Sequence, residues 1–562
     1  MMIWFQRLAL ALSIGGNILT AAVVEAETFP VQIRVDAGDS LGPLPAIWRF
    51  FGADEPNYAT MPHGKQLLAD LGELAPQQVF FRAHNLLTSG DGTPALKWGS
   101  TGVYSEDAAG RPQYDWTILD GIFDAYLAAG VRPYVQIGFM PRDLSTRPEP
   151  YQHQWNPQLR YEEIFTGWAF PPKDYDKWAE LVHRWALHCV ERYGREEVET
   201  WYWQTWNESN AGYWQGTPEE FHKLHDYAVD AVRRALPTAR VGGPDTAGAG
   251  GEFTHDFLDH CEYGVNYATG EIGTPLDFVS FHAKGSPRFV DGRVQMGIAA
   301  QLQEVERGFR IIASHPAVRD KPIVIGESDP EGCAACQGPQ LGYRNGTMYS
   351  SYTAASFARK LDLARKYQVN LEGALTWAFE FENEPLFAGF RALSTGGINK
   401  PVLNVFRMFS RMSGERVAVD SDHAAPLEQM VRHGVRRAPD VAALASRDAG
   451  RLCVMAWHYH DDDVPGDDAA VSLLLEDLPA AADGARVAHY RIDHDHSNAY
   501  TAWQAMGSPA EPTAQQYATL QQASELAALD APQTLAVIDG QATLQFTLPR
   551  QGVSLFVVEW DE

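Results

Sequence analysis

The sequence predicts an α/β fold: a (β/α)8 TIM barrel carrying a C-terminal β-sandwich. Three observations predict it. Eight β-rich runs alternate with helix-period segments between residues 45 and 410, and eight such units in series close a barrel of parallel strands. No glycine-rich phosphate loop follows the first run, which disfavours the runner-up, an open doubly wound sheet; Gly248-Ala-Gly250-Gly251 reads as a flexible loop. After Ser413 the helical periods give way to short strands separated by turn residues.

The first 26 residues read as a signal peptide. Arg7 gives a cationic start, a short apolar run spans Leu8 to Thr20, and Val24-Glu25-Ala26 places small residues for cleavage before Glu27. The run is too short and polar to span a bilayer, so the protein is expected to be exported, with no membrane partner. Residues 27–40 contain Val31–Val35, which alternates as a strand and is expected to join the sandwich.

Residues 41–413 form the expected barrel. Its strands are Ala46–Gly52, Gln78–Ala83, Arg132–Gly138, Val198–Thr205, Arg240–Gly243, Asp277–His282, Pro322–Gly326 and Gly373–Phe379. Helical spacing marks Ile118–Ala129, Tyr175–Tyr193, Pro218–Leu236, Gln303–His315 and Ser350–Tyr367. Pro218–Leu236 opens with Thr217 as N-cap, Pro218 at the first position and Glu220 three residues after the cap. Residues 414–562 supply the sandwich strands Val441–Ser446, Arg451–His458, Ala470–Leu475, Arg486–Ile492, Ala542–Leu548 and Val553–Trp560, interrupted by a helical insert over Thr513–Leu529.

Composition narrows the function. Of 562 residues, 45% are hydrophobic and 21% charged, which excludes global disorder and a polytopic membrane protein. Acidic side chains number 72 against 45 basic ones, a formal charge of −27, so the surface repels phosphate backbones and no nucleic-acid partner is expected. Sixteen Trp and 22 Tyr fit either a large core or the flat walls of a sugar site. Five cysteines leave at least one free thiol; Cys333-Ala-Ala-Cys336 reads as a local disulfide or two spectator thiols rather than a zinc or redox motif.

A barrel of this kind places its chemistry where the strands end. The fourth strand runs out as Trp206-Asn207-Glu208 and the seventh as Gly326-Glu327. Two carboxyl groups facing each other across a cleft are the apparatus of glycosidic-bond hydrolysis: one protonates the leaving oxygen, the other attacks the anomeric carbon or activates water. His84 and His282 end the second and sixth strands and could donate to sugar hydroxyls, and Trp377 ends the eighth as a candidate floor. Phe139 and Trp155 are candidate apolar walls or core residues.

Trp206-Asn207-Glu208-Ser209-Asn210 resembles the Trp-Asn-Glu-Pro motif of clan A glycoside hydrolases, with Ser209 in place of the proline. Within that clan the whole mature chain resembles glycoside hydrolase family 39, which contains β-xylosidases and α-L-iduronidases. Further matching segments are Phe81-Arg-Ala-His84-Asn, Gln136-Ile-Gly-Phe-Met-Pro141, Phe281-His282, Gly326-Glu327-Ser-Asp-Pro330, Thr376-Trp377 and Tyr490-Arg-Ile-Asp493. The resemblance implies a retaining double displacement without a cofactor or metal, with Glu208 as acid/base, Glu327 as nucleophile and Asn207 donating to the sugar 2-hydroxyl. It implies an oligosaccharide substrate and a β-xylosidase activity first, with arabinose-containing or uronic-acid glycosides as the alternative.

Two positions bear on the sugar. Family xylosidases use carboxylates after the strand-eight tryptophan to hold distal hydroxyls; Glu380, Glu382 and Glu384 all stand there, the sequence does not choose among them, and Glu382 is named as the candidate. Lys284, two residues after His282, is closer to the iduronidase pattern, in which a cation binds the substrate carboxylate. It is expected here to bond neutral hydroxyls or to pair with the acidic run Glu380–Glu384, which would repel a uronate. His458-Tyr-His460-Asp461-Asp462-Asp463 and His494-Asp495-His496 lie outside the barrel and read as solvated acidic turns rather than metal sites. A carbohydrate-binding protein on a dead barrel would lack one of the two glutamates, and an adhesion or scaffold role has no positive feature in the sequence.

Overall fold

The structure, a computed structural model, describes residues 27–377, 379–479 and 485–560. The signal segment over residues 1–26 lies outside the described residues. Eight parallel strands close a barrel: β1 (Phe50–Ala53), β2 (Val79–Ala83), β3 (Val131–Ile137), β4 (Tyr202–Thr205), β5 (Arg240–Thr246), β6 (Phe278–His282), β7 (Pro322–Glu327) and β8, which runs as Asn370–Ala374 and Thr376–Trp377. Closure is through β8: its first part pairs with β7, and Thr376 and Trp377 pair with Phe51 and Gly52 of β1.

All eight expected strands are present, with shifted ends. The fourth is shorter at its start, because Arg195–Val198 forms one turn of helix before the strand begins at Tyr202. The eighth begins earlier, at Asn370. Tyr175–Tyr193 has the expected bounds, and the helix from Pro218 carries the full capping box of Thr217 and Glu220. Three barrel helices lie outside the segments expected from helical spacing: Pro62–Leu74, Glu252–Tyr263 and Pro401–Phe409. In the first, Gly64 and Gly72 dilute the apolar period.

Because side chains alternate across a strand, every second residue points into the barrel. Phe50, Phe80, Tyr134, Tyr202, Phe278, Val324 and Leu375 plug its interior with Trp377. Their rings pack edge-on and tilted at 4.9–5.8 Å, as in Phe80–Tyr202, Tyr134–Tyr202 and Tyr134–Phe278. One step further along the strands the inward set turns polar, with Arg82, Gln136 and Gln204 fully buried. The apolar layer is the platform on which the charged layer stands.

Beyond the barrel a curled sheet forms the sandwich. The N-terminal strand Thr28–Pro43 lies inside it, parallel to Asp468–Glu476 on one side and antiparallel to Glu415–Ser421 on the other. Val31, Ile33 and Val35 alternate into its core with Val454, Leu473 and Val558. Irregular register at Asp36–Ser40 and Ser40–Pro43 marks bulges in the long strand. The inner face of Arg451–Tyr459 packs on the barrel helix Thr347–Tyr367, and Arg359 of that helix pairs with Asp440 at 2.9 Å. The insert is two helices, Ala499–Ala505 and Ala514–Ser524.

The His458–Asp463 segment is not a solvated turn. His458, His460 and Asp461 are buried, with Asp461 accepting from Tyr459 Oη at 2.7 Å and from the Val435 amide at 3.0 Å. Burial pushes the Asp461 carboxyl up to about 7 despite these donors. It is a structural joint, since the neighbouring Asp462 bridges to Gln295 of the barrel.

Candidate active site

The polar layer is assembled from strand ends all around the barrel. Glu208 follows β4 through a backbone turn in which Trp206 (φ 64°) and Glu208 itself (φ 45°) adopt the left-handed region. That conformation is costly for non-glycine residues and is held by main-chain bonds, Trp206 N–H to Ile137 C=O at 3.1 Å and Glu208 N–H to Asp245 C=O at 2.9 Å. Glu327 ends β7 directly. The preceding residue is glycine because a Cβ on Gly326 would strike the Asp245 carboxylate.

Lys284 joins the two glutamates. Lys284 Nζ donates to Glu208 Oε1 at 2.8 Å and lies 2.6 Å from Glu327 Oε2. Single ligand atoms from Glu208, His282 and Glu327 all fall within 4.8 Å of one another. Such a trio could hold a metal ion, but the Lys284 ammonium already brings positive charge to both carboxylates.

His282 is fully enclosed between carboxylates. Its Nδ1 lies 2.9 Å from Glu208 Oε1 and its Nε2 lies 2.9 Å from Asp245 Oδ2, so both ring nitrogens donate. Burial disfavours its charge, yet Glu327 and Asp245 outweigh burial and raise its pKa to about 9. Neither nitrogen is left for substrate, so the sequence-based role of His282 as a hydroxyl donor gives way to one of orienting and charging Glu208. Burial likewise opposes ionisation of Glu208 and Glu327, but Lys284 and His282 prevail and hold both carboxyls below the usual range.

On the β2 side, Arg82 is a buried hub. It donates to Gln204 Oε1 and to Asn207 Oδ1, both at 2.8 Å, and pairs with Asp245 at 2.5 Å. This fixes the Asn207 amide and leaves its buried NH2 without a protein partner among the described residues. His84 lies beside it with Nδ1 3.0 Å from Asp54 and Nε2 3.6 Å from Glu327. Burial lowers the His84 pKa, so the ring is neutral with its proton on Nδ1. Trp377 packs 4.3 Å from the His84 ring and donates from Nε1 to Asp54 at 3.2 Å.

These groups open into a cavity of about 200 Å³ lined by Asp54, Lys97, Glu208, Tyr213, Lys284, Glu327 and Trp377. One wall is the loop carrying Trp155, Leu159, Tyr161 and Ile164; another is Gly332–Cys336, where Cys333 and Cys336 form a disulfide. Trp155 therefore stands on the wall, whereas Phe139 is buried behind it against His84, Trp168 and Tyr213.

Glu382 is not in this cavity. Its carboxylate accepts from the backbone amides of His63 (2.7 Å) and Gly64 (3.1 Å), at the start of the helix Pro62–Leu74, and lies 2.9 Å from His63 Nδ1. The positive end of a helix with orphan amides has claimed it. Glu380 accepts from Ser394 Oγ and the Gly396 amide, and with Glu384 it surrounds a separate small cavity. The expected pairing of Lys284 with these acids gives way to its contacts with Glu208 and Glu327.

Four groups at the site escaped the sequence reading: Asp54, Lys97, Arg82 and Asp245. Arg82 had a usable signal, since it sits two residues before His84 and so shares its strand face. Asp245 is the last residue but one of β5, where a charged residue follows Val241-Gly-Gly-Pro244. Lys97 lies in a long loop with no periodicity to place it.

Comparison with known proteins identifies the family. The family model for glycosyl hydrolases family 39 matches residues 31–542. A β-xylosidase of Geobacillus stearothermophilus is 25% identical over 499 residues, covering 85% of this chain and 86% of that protein. An α-L-iduronidase of Mus musculus is 26% identical over 571 residues, covering 94% and 81%. The crystal structure of a monomeric β-xylosidase from Caulobacter crescentus CB15 shares the fold, with a TM-score of 0.72 at 22% identity over 94% of this chain and all of that one. With two strand-end glutamates sharing one cleft and a family match running from the N-terminal strand into the sandwich, the chain belongs to glycosyl hydrolases family 39.

Proposed function

We propose that this glycosidase is an exported, retaining exo-enzyme that releases β-linked xylose from the ends of oligosaccharides. The observation that carries the retaining mechanism is the close approach of Glu208 and Glu327, whose nearest oxygens lie within 4.8 Å. Inverting enzymes hold their carboxyl groups about 6.5–9.5 Å apart to admit a water, and retaining ones about 5–5.5 Å. Glu327, ionised and beside Lys284, attacks the anomeric carbon as the glycosidic C–O bond breaks and Glu208 gives its proton to the leaving oxygen. Water then donates a proton to Glu208 and its oxygen displaces Glu327. For the first step Glu208 must be protonated, which its resting contacts with Lys284 and His282 oppose, so these contacts must weaken as the sugar enters.

A neutral glycone fits the charge balance. The two ammonium groups lining the cavity are both paired, Lys97 with Asp54 and Lys284 with the two glutamates. A uronate would have to break ion pairs already made. A second reading, a uronide, is favoured by one observation: the acids expected to repel it, Glu380 and Glu382, bond elsewhere, while Lys284 reaches the reacting centre. Initial rates on a panel of nitrophenyl pentosides, hexosides and uronides test both. The β-xyloside is expected to be cleaved fastest; a faster uronide would replace this reading with the second.

A further inference from the structure

The carboxylate that family resemblance places after strand eight is tied to a helix start, yet the cavity holds another from the opposite side of the closure. Asp54, just past β1, accepts from Lys97 Nζ at 2.8 Å, from His84 Nδ1 at 3.0 Å and from Trp377 Nε1 at 3.2 Å. Both Asp54 and Lys97 line the cavity. A carboxylate offers about four acceptor positions, and three are taken; an ammonium has three donors, and one is given to Asp54. Capacity to accept and to donate therefore remains on adjacent groups.

Their position relative to the reacting atoms is set by two rings. The His84 imidazole spans from Glu327 at Nε2 to Asp54 at Nδ1. The Trp377 indole meets Asp54 at its Nε1 edge, while the Trp377 backbone amide is held by Asp329, two residues past Glu327. A sugar whose anomeric carbon meets Glu327 and whose ring lies on Trp377 extends its far edge toward Asp54 and Lys97. Burial and the Asp54 charge push the neighbouring Glu55 carboxyl well above its ordinary range.

We infer that Asp54 and Lys97 form the subsite that reads the glycone's distal hydroxyls, and that they select neutral sugars with a free vicinal diol at the edge remote from the anomeric carbon. One hydroxyl donates to Asp54 while accepting from Lys97, and its neighbour accepts from Lys97 as well. Such charge-assisted contacts are stronger than neutral ones, and a substituent on either oxygen would remove or crowd one of them. This inference rests on the cleft being a glycosidase site, and the two are tested separately.

The experiment compares kcat/KM for the best aryl glycoside and its 3-deoxy and 4-deoxy analogues in the wild type, Asp54→Asn and Lys97→Met. The wild type is expected to favour the parent by about 10–100-fold for the hydroxyl that meets the pair. In each variant that preference collapses toward parity, because the parent loses rate and the deoxy sugar does not. If the pair only supports His84 and Trp377, the variants will slow all three substrates alike and keep the wild-type preference, which overturns the inference. Melting temperatures check folding, and Lys97→Met carries the same readout should Asp54→Asn fail to fold. Absence of turnover on every aryl glycoside by the wild type would overturn the functional reading and this inference together.

Discussion

Lys284 Nζ stands 2.6 Å from Glu327 Oε2, so the resting cleft places its own cation on the proposed nucleophile. The same ammonium touches Glu208 at 2.8 Å. An opposite charge so near favours the ionised form of both carboxyls, which suits a nucleophile and opposes a proton donor. Catalysis must therefore alter this contact, and the variants below follow from it.

Glu327→Ala should lower turnover by about 10⁴-fold or more. Added azide should restore part of it with inverted product, since the small anion takes the place of the missing nucleophile. Glu208→Ala should cost about 10²–10⁴-fold on poor leaving groups and far less on nitrophenyl leaving groups, which need little protonation. Azide rescue there should give retained product. Proton NMR of the released sugar reports the stereochemistry, and swapped outcomes would exchange the two roles.

Lys284→Ala removes the largest influence opposing burial at both glutamates. Their carboxyls should titrate higher, moving the acid limb of the kcat/KM profile up by about one pH unit or more. Xyloside hydrolysis should weaken without a uronide preference appearing. An unchanged acid limb in a stopped assay across pH 3–7 would show that Lys284 does not set the ionisation of the pair.

His282 gives a stability signature at alkaline pH. Its folded pKa is raised from 6.5 to about 9 by Glu327 and Asp245 against burial. A raised value means that the contribution is full below about pH 6.5 and is lost as pH climbs through 9, up to about 3 kcal/mol in all. Thermal melts from pH 6 to pH 10 should show this decline in the wild type, and His282→Gln should flatten it.

Glu382→Gln should destabilise the protein by about 1–2 kcal/mol, because it weakens the charge held against the amides of His63 and Gly64. Its kcat/KM should stay near that of the wild type. A large loss of activity with an unchanged melting temperature would return Glu382 to the substrate.

The sequence by itself determined the barrel, the sandwich, and the two glutamates. Strand and helix periods are local, and chain order alone fixes which residue ends each strand, so Glu208 and Glu327 fall at one face once eight βα units are counted. His84 and Trp377 were legible for the same reason. Tertiary structure alone decided who partners whom. Glu382 lies five residues past the end of β8, where strand periodicity no longer aims a side chain, and a helix start more than 300 residues earlier captured it. Asp54 and Lys97 meet across 43 residues of chain and a loop without periodicity. His282 acquired two carboxylate neighbours from β4 and β5, which turned an apparent sugar donor into a buried cation. Electrostatic partners are chosen by distance in space, and in a closed barrel those distances are set by closure, which no local pattern encodes.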